Sequence, residues 1–125
     1  MKILLITMLA TTLGMATPAP AQDSSNLSAA FKSCAARAGS NTVQVNMCAQ
    51  REVAAQDDRL NKAYQRVMRQ LANDLGAKSR LRNEERRWIA ERDYSCKING
   101  TTIDSGCVVL KTAARADVLE SQVRF

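Results

Sequence analysis

The side chains of this 125-residue chain that could do chemistry are four cysteines, twelve Asp and Glu and eighteen Lys and Arg; histidine is absent. Without an imidazole there is neither a Ser-His-Asp triad nor a Cys-His dyad, and no histidine can ligate a metal. Cys34, Cys48, Cys96 and Cys107 are separated by 13, 47 and 10 intervening residues. Zinc and thiol redox chemistry call for close pairs such as C-x-x-C, so these gaps suit neither. An even cysteine set in a small chain bound for an oxidising compartment reads instead as a disulfide framework. The adjacent carboxylates Glu84 and Glu85 point about 100° apart on a helix and do not converge as a glycosidase pair must. The expectation is a protein with no catalytic residue, no metal and no cofactor, hence not an enzyme.

Arginine is the other conspicuous resource. Arg80, Arg82, Arg86, Arg87 and Arg92, with Arg59, Arg66 and Arg69 upstream, are expected to form a solvated basic face, or one that meets an anionic envelope polymer or membrane surface. Nucleic acid is excluded as a partner, because the chain is read as exported and only five aromatics accompany the basic residues.

Export is read from the first 21 residues. Met1-Lys2 gives a short positive start, Ile3 to Leu13 is apolar except for threonines, and Ala19-Pro20-Ala21 supplies a small-residue cleavage site before Gln22. Eleven residues rise about 16 Å as a helix, well short of a ~30 Å bilayer core, so no stable membrane span is expected in the mature form. Cys34 lies too far downstream, in Phe-Lys-Ser-Cys, to be a lipoprotein cysteine. The expected product is periplasmic or secreted, a single domain over 22–125 with a mobile polar leader at 22–26, and a net charge of about +5 once Lys2 is removed.

Those chemical groups must be positioned by helices. Leu27, Ala30, Phe31, Cys34, Ala35 and Ala38 recur at helical spacing, with Gly39 as a stop. A second, long helix capped at Thr42 is expected to run to about Asp74, carried by Leu60, Tyr64, Val67, Met68, Leu71 and Leu75. Gly76 to Ser79 reads as a link into a third helix reaching Ser95, in which Leu81, Glu85, Trp88, Ile89 and Arg92 share a face. Lys97 to Gly106 is expected to be a polar loop, after which Asp104 or Ser105 caps a fourth helix from Cys107 to Val123. The fold class is therefore all-α: a small disulfide-stabilised bundle of about four helices around a long antiparallel helix hairpin.

That hairpin constrains cysteine pairing. A turn near residue 77 sets Cys96 level with about residue 58, leaving Cys48 some 15 Å along the axis, beyond the roughly 7 Å that a bridge spans. Cys34–Cys48 with Cys96–Cys107 is preferred, and Cys34–Cys96 with Cys48–Cys107 stays open.

Three patterns stand together: Cys48-x8-Asp57-x-x-Leu60-Asn61-x-x-Tyr64, then Leu81-x3-Glu85-x-x-Trp88-x3-Arg92-Asp93-x-x-Cys96, then Cys107-x4-Thr112-x-x-Arg115-x3-Leu119. Over about Cys34 to Leu119 the chain resembles the family of small secreted bacterial domains named after the lysozyme inhibitor LprI. Glu85 stands where that family commonly has glutamine, and the segment between Cys96 and Cys107 is shorter than usual. The resemblance implies a non-catalytic protein that binds a protein partner, namely lysozyme; the other reading is an envelope interaction module whose partner is an anionic component or another protein.

Asp57, Asn61, Tyr64, Glu85, Trp88, Arg92, Asp93, Thr112 and Arg115 are the candidates for a structural polar network or an interaction surface. Arg92 is expected opposite roughly residue 62, within reach of Asp58, Asn61 or Asp57. Polar groups on facing helices must pair or cost several kcal/mol. The charge of about +5 opposes long-range approach to a basic lysozyme, although Asp57, Asp58, Glu84, Glu85 and Asp93 are local acids that can meet a basic cleft.

Overall fold

A computed structural model describes residues 26–124; residues 1–21, expected to be a signal peptide, lie outside the described residues, as does the expected leader apart from Asn26. Four helices follow in order: α1 (Ala29–Ala38), α2 (Thr42–Gln70), α3 (Leu75–Ser95) and α4 (Ser105–Gln122). The all-α bundle expected from the sequence is the observed fold. Each helix begins on a side chain that accepts a hydrogen bond from its first turn: Ser28 from Phe31, Asn41 from Gln44, Asp74 from Ala77, and Asp104 from Gly106 and Cys107.

The structure differs from the sequence reading in several places. Asn41, not Thr42, caps α2, and α4 starts at Ser105 instead of Cys107. Helix α2 ends at Gln70 and α3 begins at Leu75, so Gly76 lies inside the first turn of α3 and the chain reverses over Leu71–Asp74. The Asp74 carboxylate on the Ala77 amide, at 2.8 Å, decides this, because it satisfies a helix-start donor that a link at Gly76 leaves open. The expected loop at 97–106 contains a short antiparallel ribbon, β1 (Lys97–Ile98) with β2 (Thr102–Ile103), in register Lys97 to Ile103 and Ile98 to Thr102. Its turn holds Asn99 at φ 50° and Gly100 at φ 77°, the left-handed pair that Asn-Gly supplies at least cost.

Side-chain size explains the packing. Helix α2 packs most extensively on α4 and runs parallel to it, with the small residues Ala49 and Ala63 of α2 and Thr112, Ala113 and Ala116 of α4 all buried. Small residues let helix axes approach to the short end of the ~8–10 Å range. Helix α3 returns antiparallel to both and presents bulkier groups, Leu81, Trp88 and Arg92. The core comprises Leu60, Ala63, Val67, Leu81, Ala116 and Leu119, with Tyr64, Met68, Leu71, Trp88 and Val123 packed around it. Because α2 and α3 are held apart by these large side chains, an open groove of about 400 Å³ runs between them.

Helix α1 covers the amino-terminal half of α2. Cys34 is bonded to Cys48, and Cys96 to Cys107, with Cα separations of 5.8 and 5.5 Å. The first bridge clips α1 to α2; the second joins the end of α3 to the start of α4 around the β1–β2 ribbon. Among the described residues no helix is long and apolar enough to cross a membrane.

Candidate functional site

The α2–α3 groove is lined by Asp57, Leu60, Asn61 and Tyr64 from α2 and by Arg82, Glu85, Arg86, Trp88, Ile89 and Arg92 from α3. The spacing 57, 60, 61, 64 places four α2 side chains on one helical face, and 82, 85, 86, 89 and 92 do the same on α3. The chain reverses over Leu71–Asp74, earlier than a turn near residue 77, and Arg92 accordingly reaches Asp57 of α2, five residues before the expected level of 62. Asp58 instead pairs with Lys62 on the outer surface, at 2.6 Å, and Asn61 stands exposed on the groove rim.

Beneath the groove two guanidinium groups flank one indole. The Arg92 guanidinium lies 5.2 Å and that of Arg115 5.9 Å from the Trp88 ring centroid, both within cation–π range. Arg92 Nη1 donates to Asp57 of α2 at 3.3 Å and to the fully buried Thr112 hydroxyl of α4 at 3.2 Å, while its Nε donates to Asp93 at 2.9 Å. Arg115 donates from Nε and Nη2 to Glu85 Oε2, at 2.9 and 2.8 Å, and from Nη2 to Glu84 at 3.0 Å. Glu84 and Glu85 thus converge after all, but on a guanidinium of α4. Although burial disfavours the Arg115 charge, its bonds to Glu85 and Glu84 outweigh that and hold it more firmly protonated than usual. Of the sequence candidates, Asp57, Glu85, Trp88, Arg92, Asp93, Thr112 and Arg115 are joined in this three-helix network; Tyr64 and Asn61 line the open side above it.

The network and the cysteine framework are the features that the three spaced patterns encode, and a family model for the lysozyme inhibitor LprI matches residues 34–119, from the first cysteine to the buried Leu119. The chain belongs to the LprI lysozyme inhibitor family. The matched span contains both disulfides, the ribbon and every residue of the Trp88 network. No curated protein and no solved structure matches this LprI-family chain.

Two polar clusters escaped the sequence reading. Glu52, 2% exposed, accepts from the Ser28 amide at 2.8 Å, from the Ser28 hydroxyl, and from Gln56 at 2.7 Å; Gln56 also donates to the Asn26 carbonyl at 3.2 Å. Burial raises the Glu52 carboxyl, yet these donors more than compensate and hold it below the usual glutamate range. Arg59 bonds Glu120 at 2.7 Å and also pairs with Asp117, whose other bond comes from Asn26 at 2.7 Å. The Glu120 bond holds the Arg59 charge above its ordinary stability. The signal was present in the spacing: Ala49, Glu52, Gln56, Leu60, Ala63 and Val67 form one continuous buried stripe, so polar residues stood on the core face of a helix.

Of the arginines expected on a solvated basic face, Arg66, Arg69, Arg80, Arg82, Arg86 and Arg87 are exposed. Arg59 and Arg92 are engaged in ion pairs, Arg82 and Arg86 line the α2–α3 groove, and Arg80 lines a separate groove where α2 ends and α3 begins.

Proposed function

We propose that this protein is exported and acts as a lysozyme-inhibitor-like binding protein, contacting the enzyme through the α2–α3 groove and its α3 ridge without chemistry of its own. The observation that carries this is the convergence of the family pattern: Asp57, Leu60, Asn61, Tyr64, Glu85, Trp88 and Arg92 line one groove instead of scattering over the bundle. Tyr, Trp and Arg are the side chains that dominate protein interface energetics, and a disulfide-clipped three-helix platform presents them with little ordering left to lose on binding. The two bridges and the signal-like first 21 residues support an oxidising compartment.

The decisive measurement is the turbidity decrease of bacterial cell walls under lysozyme with the mature protein in molar excess at low salt. Slowed lysis at near-equimolar ratio is the expected result. Unchanged lysis at high stoichiometry excludes inhibition of that lysozyme type.

A further inference from the structure

We infer that Arg82 and Arg86, on the exposed ridge of α3, are the residues that engage the paired catalytic carboxylates in the cleft of a retaining lysozyme. This rests on the lysozyme-binding function proposed above and specifies its contact.

The charge inventory of the groove leads there. Its carboxylates are already claimed: Asp57 by Arg92, and Glu85 by Arg115. Arg82 and Arg86 are exposed and have no hydrogen-bond or ion-pair partner among the described residues. What the groove offers a partner is thus two unpaired guanidinium forks beside the half-buried rings of Tyr64 and Trp88. Guanidinium forks match carboxylates bidentately. The two arginines are one helical turn apart, which puts their Cβ atoms about 5–6 Å from each other; the catalytic carboxyls of a retaining glycosidase are about 5–5.5 Å apart. Shape agrees, since a convex helix ridge carrying Arg82, Arg86 and the 41% exposed Ile89 can enter a concave cleft.

The same contact removes the electrostatic difficulty. A chain of about +5 is repelled by a basic enzyme at long range, but a catalytic cleft is where such an enzyme concentrates negative charge. Positive charge placed on the inserted ridge is attracted locally and seals the cleft against its polysaccharide substrate.

The test measures lysozyme affinity and inhibition for the mature wild-type chain, for Arg82→Ala/Arg86→Ala, and for Arg69→Ala/Arg87→Ala, which makes the same change in net charge at exposed sites away from the groove. Loss of two charge-assisted contacts is expected to weaken binding by about 100-fold or more, while the control pair stays within about threefold of wild type. A chitin oligosaccharide filling the cleft should compete with the wild-type chain. Full inhibition by Arg82→Ala/Arg86→Ala, or equal weakening of both double variants, overturns the assignment and leaves the inhibitor function standing. Absence of inhibition by the wild type overturns both. Unchanged melting temperatures of the two variants keep a folding defect from imitating the expected result.

Discussion

The Arg92 guanidinium lies over the Trp88 ring at 5.2 Å, and from there its Nη1 bridges Asp57 of α2 and Thr112 of α4. One side chain of α3 therefore fixes the relative height of the two helices that α3 packs against. The same geometry makes the network both a structural tie and the floor of the proposed binding groove, and these roles separate experimentally.

Arg92→Met keeps the aliphatic stem against Trp88 and removes the charge and every donor. Asp57, with its side chain 44% exposed, rehydrates at little cost. Thr112 is fully buried and loses its donor, and the indole loses one cation. Together these are worth about 2 kcal/mol, or roughly 10 °C in Tm for a domain of this size. Thermal unfolding followed by circular dichroism checks this. A wild-type Tm combined with lost lysozyme binding instead assigns Arg92 to the interface and removes its structural role.

Glu85 and Arg115 form the most enclosed ion pair of the groove, with side chains 11% and 10% exposed. Glu85→Gln brings in the residue the family commonly carries: it retains an oxygen acceptor, and Arg115 keeps Glu84 as a countercharge, so a loss of about 1 kcal/mol or less is expected. Glu85→Ala leaves the guanidinium only the exposed Glu84 and opens a gap at the interface, with an expected loss of about 3 kcal/mol. Urea unfolding of the two variants side by side tests the ordering; equal losses contradict it.

Much of this arrangement was legible. The 3–4 spacing of Leu60, Tyr64, Val67, Met68 and Leu71 marks the core face of α2, and the polar positions between facing patterns mark the network. What was not legible has physical causes. Leu75-Gly76 resembles a helix end, but local propensity is outweighed by the Asp74 cap, and the earlier turn brings Arg92 to Asp57, five residues from the expected level of 62. The β1–β2 ribbon has two residues per strand, too few to show alternation, and only Asn99-Gly100 announced it. The parallel docking of α4 on α2 depends on how closely two small-residue stripes can approach, and a stripe on one helix does not name the helix it meets.

Glu52 gives the fold a defined acid response. Its carboxyl is held below the usual glutamate range by Ser28 and Gln56 against the opposing effect of burial. A group with a depressed folded-state value stabilises fully above its unfolded pKa of about 4.3, and this stability is lost as pH falls through the folded value. Glu52→Gln is therefore expected to melt well below wild type at pH 7, with the gap closing progressively below about pH 4.5. Melting curves of both proteins at pH 7, 4 and 2.5 measure it; a gap that is constant with pH excludes Glu52 as the origin.

The two disulfides should differ in function more than in stability. They close sequence separations of 14 and 11, for which the chain-entropy estimate is about 3 kcal/mol each. Their structural positions are unlike. Cys34–Cys48 holds α1, which Ser28 and Asn26 also tie to Glu52 and Gln56, and α1 lies outside the α2–α3 groove. Cys96–Cys107 fixes the junction of α3 with α4, four residues from Arg92 and five from Thr112, so its removal lets the wall of the groove move. Cys34→Ser/Cys48→Ser is expected to lower Tm while preserving lysozyme affinity, whereas Cys96→Ser/Cys107→Ser should lower both. Intact affinity in the second variant dissociates the groove from the α3–α4 junction. Mass spectrometry of the wild type should show a gain of about four mass units on reduction, two hydrogens per bridge, and this must precede the comparison because free thiols in the wild type remove its premise.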